Sequence, residues 1–304
     1  MPVKSKKKVN KWAYVLIVIA LLFILSSLIA LGISLFMDVE GPGNVALISI
    51  EGPLTVSKPG SFSSVASSDQ IVELIEKAES SPSIKAIIIS INSPGGSPVA
   101  TDEISNAIKE SNKTTVAVIR QVGASGGYWI ASSADHVIAN RMSITGSIGV
   151  IGSYLEFDQF LDRYNITYQR LVAGEYKDMG SPLKELSDDE REIIQDILDE
   201  MHDEFIIEVS RNRNLSVEDT EEIATGAIFT GNKAKKLGLV DELGGIKEAE
   251  DYMNRTLNIT VIIKEYSKEL TFGELLFRAF SEQSFFVGRG MGSALLEHQT
   301  GIRI

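Results

Sequence analysis

From Trp12 to Met37 the chain carries no charged residue (WAYVLIVIALLFILSSLIALGISLFM), whereas from Val45 onward short apolar runs alternate with amphipathic stretches. The first segment exceeds the roughly 20 apolar residues a helix needs to cross a bilayer and predicts a transmembrane helix over 12–37. A cleavable signal peptide is the competing reading, because Ala30-Leu31-Gly32 is a small-x-small triplet. Such peptides have apolar stretches of only about 7–15 residues, and this one runs on past the triplet. Lys4, Lys6, Lys7, Lys8 and Lys11 make residues 1–11 a basic tail, which the positive-inside rule places in the cytoplasm. The reading is a single-pass protein of the cell membrane with a linker at 38–44 and an extracytoplasmic body.

In the body, Val45–Ile50 reads as a strand and Pro53–Ser68 as a polar loop. Asp69 is placed to cap a helix whose apolar residues Ile71, Leu74, Ile75 and Ala78 follow helical spacing. Ala86–Ile91 (AIIISI) is a continuous apolar run, as in a strand buried on both faces. A helix over 99–110, a strand over 115–120 and a glycine-flanked turn into a helix over 125–133 continue the alternation. Further along come a strand over 167–172 and a long acidic amphipathic helix over 187–213. Strand and helix in alternation predict an α/β domain over 45–266 with a mainly parallel sheet covered by helices. A C-terminal extension, 267–304, holds one helix-like piece at 271–281.

Composition narrows the chemistry. There is no cysteine, so a nucleophile must be oxygen or nitrogen, and the three histidines (His136, His202, His298) offer little for a metal site. No metal or other cofactor is expected. Beyond residue 40 the chain holds 24 basic and 39 acidic residues, a net −15 that repels phosphate backbones and argues against nucleic-acid partners. Five N-x-[ST] sequons (Asn112, Asn165, Asn214, Asn254, Asn258) fit an exported body, and equally fit chance matches to a short motif.

Three glycine-rich turns stand out: NSPGGSP at 92–98, GASGGYW at 123–129 and TGSIGV at 145–150. The first follows the strongest strand and precedes a helix, so Gly95 and Gly96 are candidates to aim backbone N–H groups at a polarised carbonyl. The second puts the Ser125 hydroxyl at a helix N-terminus, where it is either a nucleophile or a plain N-cap. A nucleophilic serine needs a base. No histidine is well placed, but Lys177, in GEYKDMGSP before the Pro182 turn, is a candidate, set against the commoner reading of an exposed loop lysine. To act near neutrality a lysine must lose about three pH units from its usual pKa near 10.4, which costs about 4 kcal/mol.

Taken with INSPGGS (91–97), GASGGYWIA (123–131), TGSIGV (145–150), GEYKDMGSP (174–182) and IFTGNKAKKLGLVDELGG (228–245), the chain resembles signal peptide peptidase A. That family comprises membrane-anchored serine/lysine peptidases of the Clp/crotonase fold, and the resemblance, to its short single-domain form, spans about 45–254. It implies Ser125 as nucleophile, Lys177 as general base, Ser147 as the residue holding the lysine neutral, and Gly96 with Gly95 as oxyanion-hole donors. It also implies a homo-oligomeric ring, an octamer, in which serine and lysine of one site come from adjacent subunits, and substrates that are signal-peptide remnants and other apolar peptides. Three readings compete with it: a related membrane peptidase cutting a membrane-associated partner protein, a crotonase-like acyl-CoA enzyme, and an inactive ring scaffold.

Overall fold

The structure is a computed structural model describing residues 11–37, 43–57 and 65–267; the helix expected at 271–281 lies outside them. The chain divides into two units, 1–43 and 44–304. The first contains helix α1 (Lys11–Met37), 27 residues long, with exposed side chains over 14–29. Among the described residues no helix is long and apolar enough to cross a membrane. The segment expected to span a membrane, 12–37, is helical in α1.

The second unit runs, in chain order, through β1 (Val45–Glu51), β2 (Leu54–Thr55), β3 (Ala66–Ser67), α2 (Ser68–Ser80), β4 (Ala86–Ser93), α3 (Pro98–Lys109), β5 (Thr114–Ala124) and α4 (Gly126–Ser132). It continues with β6 (His136–Ala139), β7 (Ile144–Gly146), α5 (Asp158–Arg163), α6 (Asp188–Arg213), α7 (Val217–Ile223), β8 (Ile228–Thr230), α8 (Gly231–Lys236), β9 (Glu242–Leu243), α9 (Ile246–Leu257) and β10 (Ile263–Tyr266). The sheet order is β10-β1-β4-β5-β6-β9, all parallel, with β7 added on β5 and β8 antiparallel to β7. The expected α/β architecture with a mainly parallel sheet is therefore present.

Ala86–Ile91 is buried on both faces, as its unbroken apolar run predicts, with Ile87, Ile88, Ile89 and Ile91 at 0% exposure. The two-residue period of a strand sends them to different cores. Ile87, Ile89 and Ile91 join the larger core with Ile104 of α3, Tyr128 of α4 and Phe205 of α6. Ile88 joins the smaller one with Val116, Val118 and Met253 of α9. Removing each such side chain from water contributes about 1.5–3 kcal/mol.

Two local expectations are corrected. Helix α2 starts one residue before Asp69, which lies in its first turn and accepts a hydrogen bond from Ser57 Oγ at 2.8 Å. The strand expected over 167–172 does not form, and that stretch has no regular structure. Leu171 there is 93% exposed. A strand needs a neighbour for its backbone groups, and this segment has no ladder partner among the described residues.

Candidate active site

In a parallel α/β sheet the carboxyl ends of the strands leave a crevice where ligands bind. Here the crevice lies beyond β4 and β5. The β4–β5 register shifts between Ile91 and Ser93, so that Ser93 pairs with Gly123. Asn92 fills the gap in the ladder: its Oδ1 accepts from Val122 N–H at 3.2 Å and its Nδ2 donates to Glu51 Oε2 at 2.9 Å. The asparagine that opens NSPGG thus ties β1, β4 and β5 together just before the glycines.

The chain beyond Asn92 comes within bonding range of Leu54. Leu54 N–H donates to Gly95 O and Ser97 N–H donates to Leu54 O, each at 2.9 Å. In a parallel bridge these flanking groups face the partner, so the N–H of Gly96 itself faces the opposite side. Any side chain at Gly96 would meet Leu54 O at 2.3 Å, and one at Gly95 would meet both Gly126 N and Ser125 Cβ at 2.8 Å. The paired glycines therefore let one loop touch both β2 and the Ser125 turn. Gly95 N–H is already engaged, donating to Ser93 Oγ at 3.2 Å.

Ser125 stands between β5 and α4 with φ 53° and ψ −128°, a backbone conformation that costs a non-glycine residue about 1–3 kcal/mol. It is over-determined by its neighbours. Its N–H donates to Gly146 O at 2.8 Å, and its carbonyl accepts from Tyr128 N–H at 2.8 Å and Trp129 N–H at 3.0 Å. The hydroxyl makes no capping bond to α4, so the plain N-cap reading does not hold. Ser147 lies one residue beyond the Gly146 carbonyl that fixes Ser125 and also has a positive φ, 52°; its N–H donates to Ala227 O at 2.8 Å. Among the described non-glycine residues with positive φ, the other three are asparagines, which tolerate that region, so the two strained serines are set apart.

A cavity of about 140 Å³ opens at Ser125, walled by Gly96, Trp129, Ile151, Met201 and Phe205 among others. Trp129 and Phe205 are stacked with ring centroids 4.8 Å apart. Helix α6 supplies this wall in an uneven way: Phe205, Ile206 and Val209 are buried, whereas Ile197 and Met201 near its middle are 44% and 39% exposed. A larger concavity, about 680 Å³, lies between α2 and α3 among Glu73, Glu76, Glu79 and Glu103; its serine hydroxyls donate to carboxylates, Ser68 to Glu103 and Ser111 to Glu79, and no lysine or histidine is among its described lining residues. Chemistry rather than size picks the site.

Lys177 does not line the Ser125 cavity. It is exposed, in a turn where its N–H donates to Gly174 O at 3.3 Å. Within one chain the structure thus brings Ser125, Ser147, Gly95 and Gly96 together and leaves Lys177 elsewhere. Sequence reasoning missed Leu54, Trp129, Met201 and Phe205 as neighbours of Ser125. The helical spacing of Met201 and Phe205 marked one apolar face of α6 but not what it faces.

A family model described as Peptidase family S49 matches residues 107–260, just over half of the chain. The chain belongs to peptidase family S49. A Clp protease model matches residues 60–153, in keeping with the sheet just described. Among the S49 relatives of this peptidase, "Putative protease MJ0651" of Methanocaldococcus jannaschii is 32% identical over 227 residues, 74% of this chain and 72% of that protein. "Putative signal peptide peptidase SppA" of Enterococcus faecium is 31% identical over 201 residues, 65% of this chain and 58% of its own length. A solved structure titled as a mutant of 1510-N, a membrane-bound stomatin-specific protease, aligns with TM-score 0.50 at 17% identity, covering 75% of this chain and 100% of that one. As a member of S49 the protein is a serine peptidase, which sets aside the acyl-CoA reading.

Proposed function

We propose that this S49 peptidase is tethered to the membrane by α1 and cleaves apolar peptides, signal-peptide remnants among them, with a Ser125/Lys177 dyad assembled between subunits. The observation that carries the reading is the Ser125 turn: a strained serine with a hydroxyl free of capping bonds, beside an apolar cavity with no lysine, histidine or carboxylate among its described lining residues. Support for the substrate class comes from the walls of that cavity and from the relative that bears the signal peptide peptidase name. Support for the tether comes from 27 helical residues, about 40 Å at 1.5 Å per residue, with no charge from Trp12 to Met37.

In the proposed reaction Ser125 Oγ attacks the scissile carbonyl carbon and its proton passes to neutral Lys177 Nζ of an adjacent subunit. The oxyanion forms against Gly96 N–H. Gly126 N–H, the first of α4, is the proposed second donor in place of Gly95, whose N–H is taken by Ser93. Collapse of the tetrahedral species breaks the C–N bond as the lysine ammonium returns the proton to the leaving amine. Water then attacks the acyl-enzyme with Lys177 again accepting the proton; collapse breaks the C–Oγ bond, the ammonium returns the proton to Ser125 Oγ, and the acid leaves. Ser147, fixed beside Ser125 through Gly146, is the proposed hydroxyl partner of the incoming amine.

Incubation with a fluorophosphonate, followed by peptide mapping, tests this reading. A label on Ser125, and cleavage of a synthetic signal peptide within its apolar stretch, are the expected results. A label elsewhere, or cleavage confined to polar peptides, overturns it.

A further inference from the structure

The turn that carries Lys177 is held by more than its own backbone. Arg170 Nε donates to Asp178 Oδ2 at 2.7 Å, and one of its terminal nitrogens donates to Asp178 Oδ1 at 2.8 Å and to the Glu175 carbonyl at 2.9 Å. One guanidinium therefore grips the residue after Lys177 through both carboxylate oxygens and the residue two before it through its carbonyl. A second cation fastens the far end. Lys184 Nζ donates to both oxygens of Glu190 at 2.6 Å and lies 3.9 Å from Asp178 Oδ1. Glu190 is the buried N3 residue of the capping box that starts α6. The turn is thus chained to the same helix whose later residues wall the Ser125 cavity.

The Arg170 side chain is 42% exposed, and an ion pair with so solvated a partner contributes little to stability, which leaves geometry as the clamp's main effect. A fork bonded at three points fixes direction, which a lone ammonium does not. Charge adds a second reason. Asp178 is the immediate neighbour of Lys177, and an unpaired carboxylate there would favour the protonated amine that cannot act as a base. The hydrogen bond from Arg170 outweighs desolvation and holds Asp178 below the usual carboxylate range, so it stays ionised but engaged. The charged and titratable groups around the turn are Arg170, Glu175, Tyr176, Asp178 and Lys184, with Asp189 and Glu190 from the start of α6. Among them Arg170 is the cation bonded on both sides of Lys177 in sequence.

We infer that Arg170 and Asp178 are positioning residues for Lys177: their clamp fixes the direction in which the turn presents the amine and takes up the carboxylate that would otherwise keep it protonated. The inference rests on Lys177 being the proton acceptor. Its test is the pH profile of kcat/KM on an apolar peptide for Arg170→Gln, Arg170→Lys and Arg170→Gln/Asp178→Asn. Lys177→Ala is the control, and every variant is the assembled full chain with an unchanged size profile. For Arg170→Gln the expected result is a loss of about tenfold, mainly in kcat, with the activating limb moved about half a pH unit or more to the alkaline side. Arg170→Lys should not rescue it. Adding Asp178→Asn should bring the limb back while the kcat loss remains. An unmoved limb in Arg170→Gln beside an inactive Lys177→Ala overturns the clamp alone; an active Lys177→Ala overturns the base assignment instead.

Discussion

Residues 86–146 and residues 147–187 follow one another in the chain, yet they are built differently. The first stretch contains β4 and β5 at the centre of the sheet, with isoleucines at 0% exposure and a strained Ser125 fixed by three backbone bonds. The second has one helix of six residues, α5, none of them buried, and leaves Ile151 85%, Leu155 73% and Leu171 93% exposed. Apolar side chains in such a concentration mark a surface that something else covers. The contrast teaches that one chain builds and strains the Ser125 turn without bringing Lys177 to it; under the proposed mechanism a second copy would complete the site.

The largest effect expected from breaking either side is on catalysis. Ser125→Ala and Lys177→Ala should each lower kcat/KM by about 10³-fold or more, and the double variant should be no worse than either, because nucleophile and base act as a unit. Single-turnover assays on an apolar peptide check this. Losses that multiply in the double variant would mean that the two residues serve separate steps.

The next effect is on stability and falls on one side only. Ile88→Ala, in the smaller core, should cost about 2–5 kcal/mol in a urea titration. Leu171→Ala should change the unfolding free energy by no more than about 0.5 kcal/mol where sizing shows a single chain. A Leu171→Ala cost as large as that of Ile88→Ala would show that the second region folds onto its own chain after all.

How much of this contrast was readable beforehand follows the same division. AIIISI announced a strand buried on both faces because five of its six positions are apolar and four of them are β-branched isoleucine. NSPGG and GASGG gave the site because glycine pairs at strand ends permit close backbone approach. The approach of Leu54 to Gly96 was not readable, since it depends on a chain contact 42 residues apart in sequence. The failed strand at 167–172 is instructive. Its Thr167, Tyr168 and Val172 favour a strand, but local preference does not say whether a neighbour is present to bond with. The cap of α2 was misplaced by one or two residues because Ser67, Ser68 and Asp69 are all good capping residues in a row. Lys177 was a candidate from the residues and took its role from the resemblance, whereas the clamp around it is visible only in the geometry.

A smaller effect, about fourfold, sharpens the comparison at the level of subunits. Co-expressed Ser125→Ala and Lys177→Ala chains with separate tags contain no complete site if both residues must come from one chain. If each site takes serine from one subunit and lysine from the next, random equal mixing in a closed ring leaves about a quarter of the sites intact. Peptide cleavage near that level in tandem-purified mixed assemblies supports the shared site, and none sinks it.

The smallest effect compares two Arg–Asp pairs, one in each kind of region. At Asp241 burial opposes ionisation, but two bonds from Arg213 and one from Val137 N–H at 2.7 Å outweigh it and hold the carboxyl below its ordinary 3.8. At Asp178 the Arg170 hydrogen bond lowers the carboxyl in the same direction, but from an arginine side chain that is 42% exposed. A depressed carboxyl contributes stability above its unfolded pKa and loses it as pH falls through the folded one. Both pairs should therefore weaken below about pH 4, never on the alkaline side. Only the Arg213 pair, with an arginine side chain 7% exposed, is shielded enough for the loss to register. Asp241→Asn should lower Tm at pH 7 and flatten its fall between pH 5 and pH 3 by about 2–4 °C, whereas Asp178→Asn should leave that slope unchanged at about 0.15 M salt. Equal flattening by both variants would erase the distinction between a pair built into the folded body and one whose work is to aim a lysine.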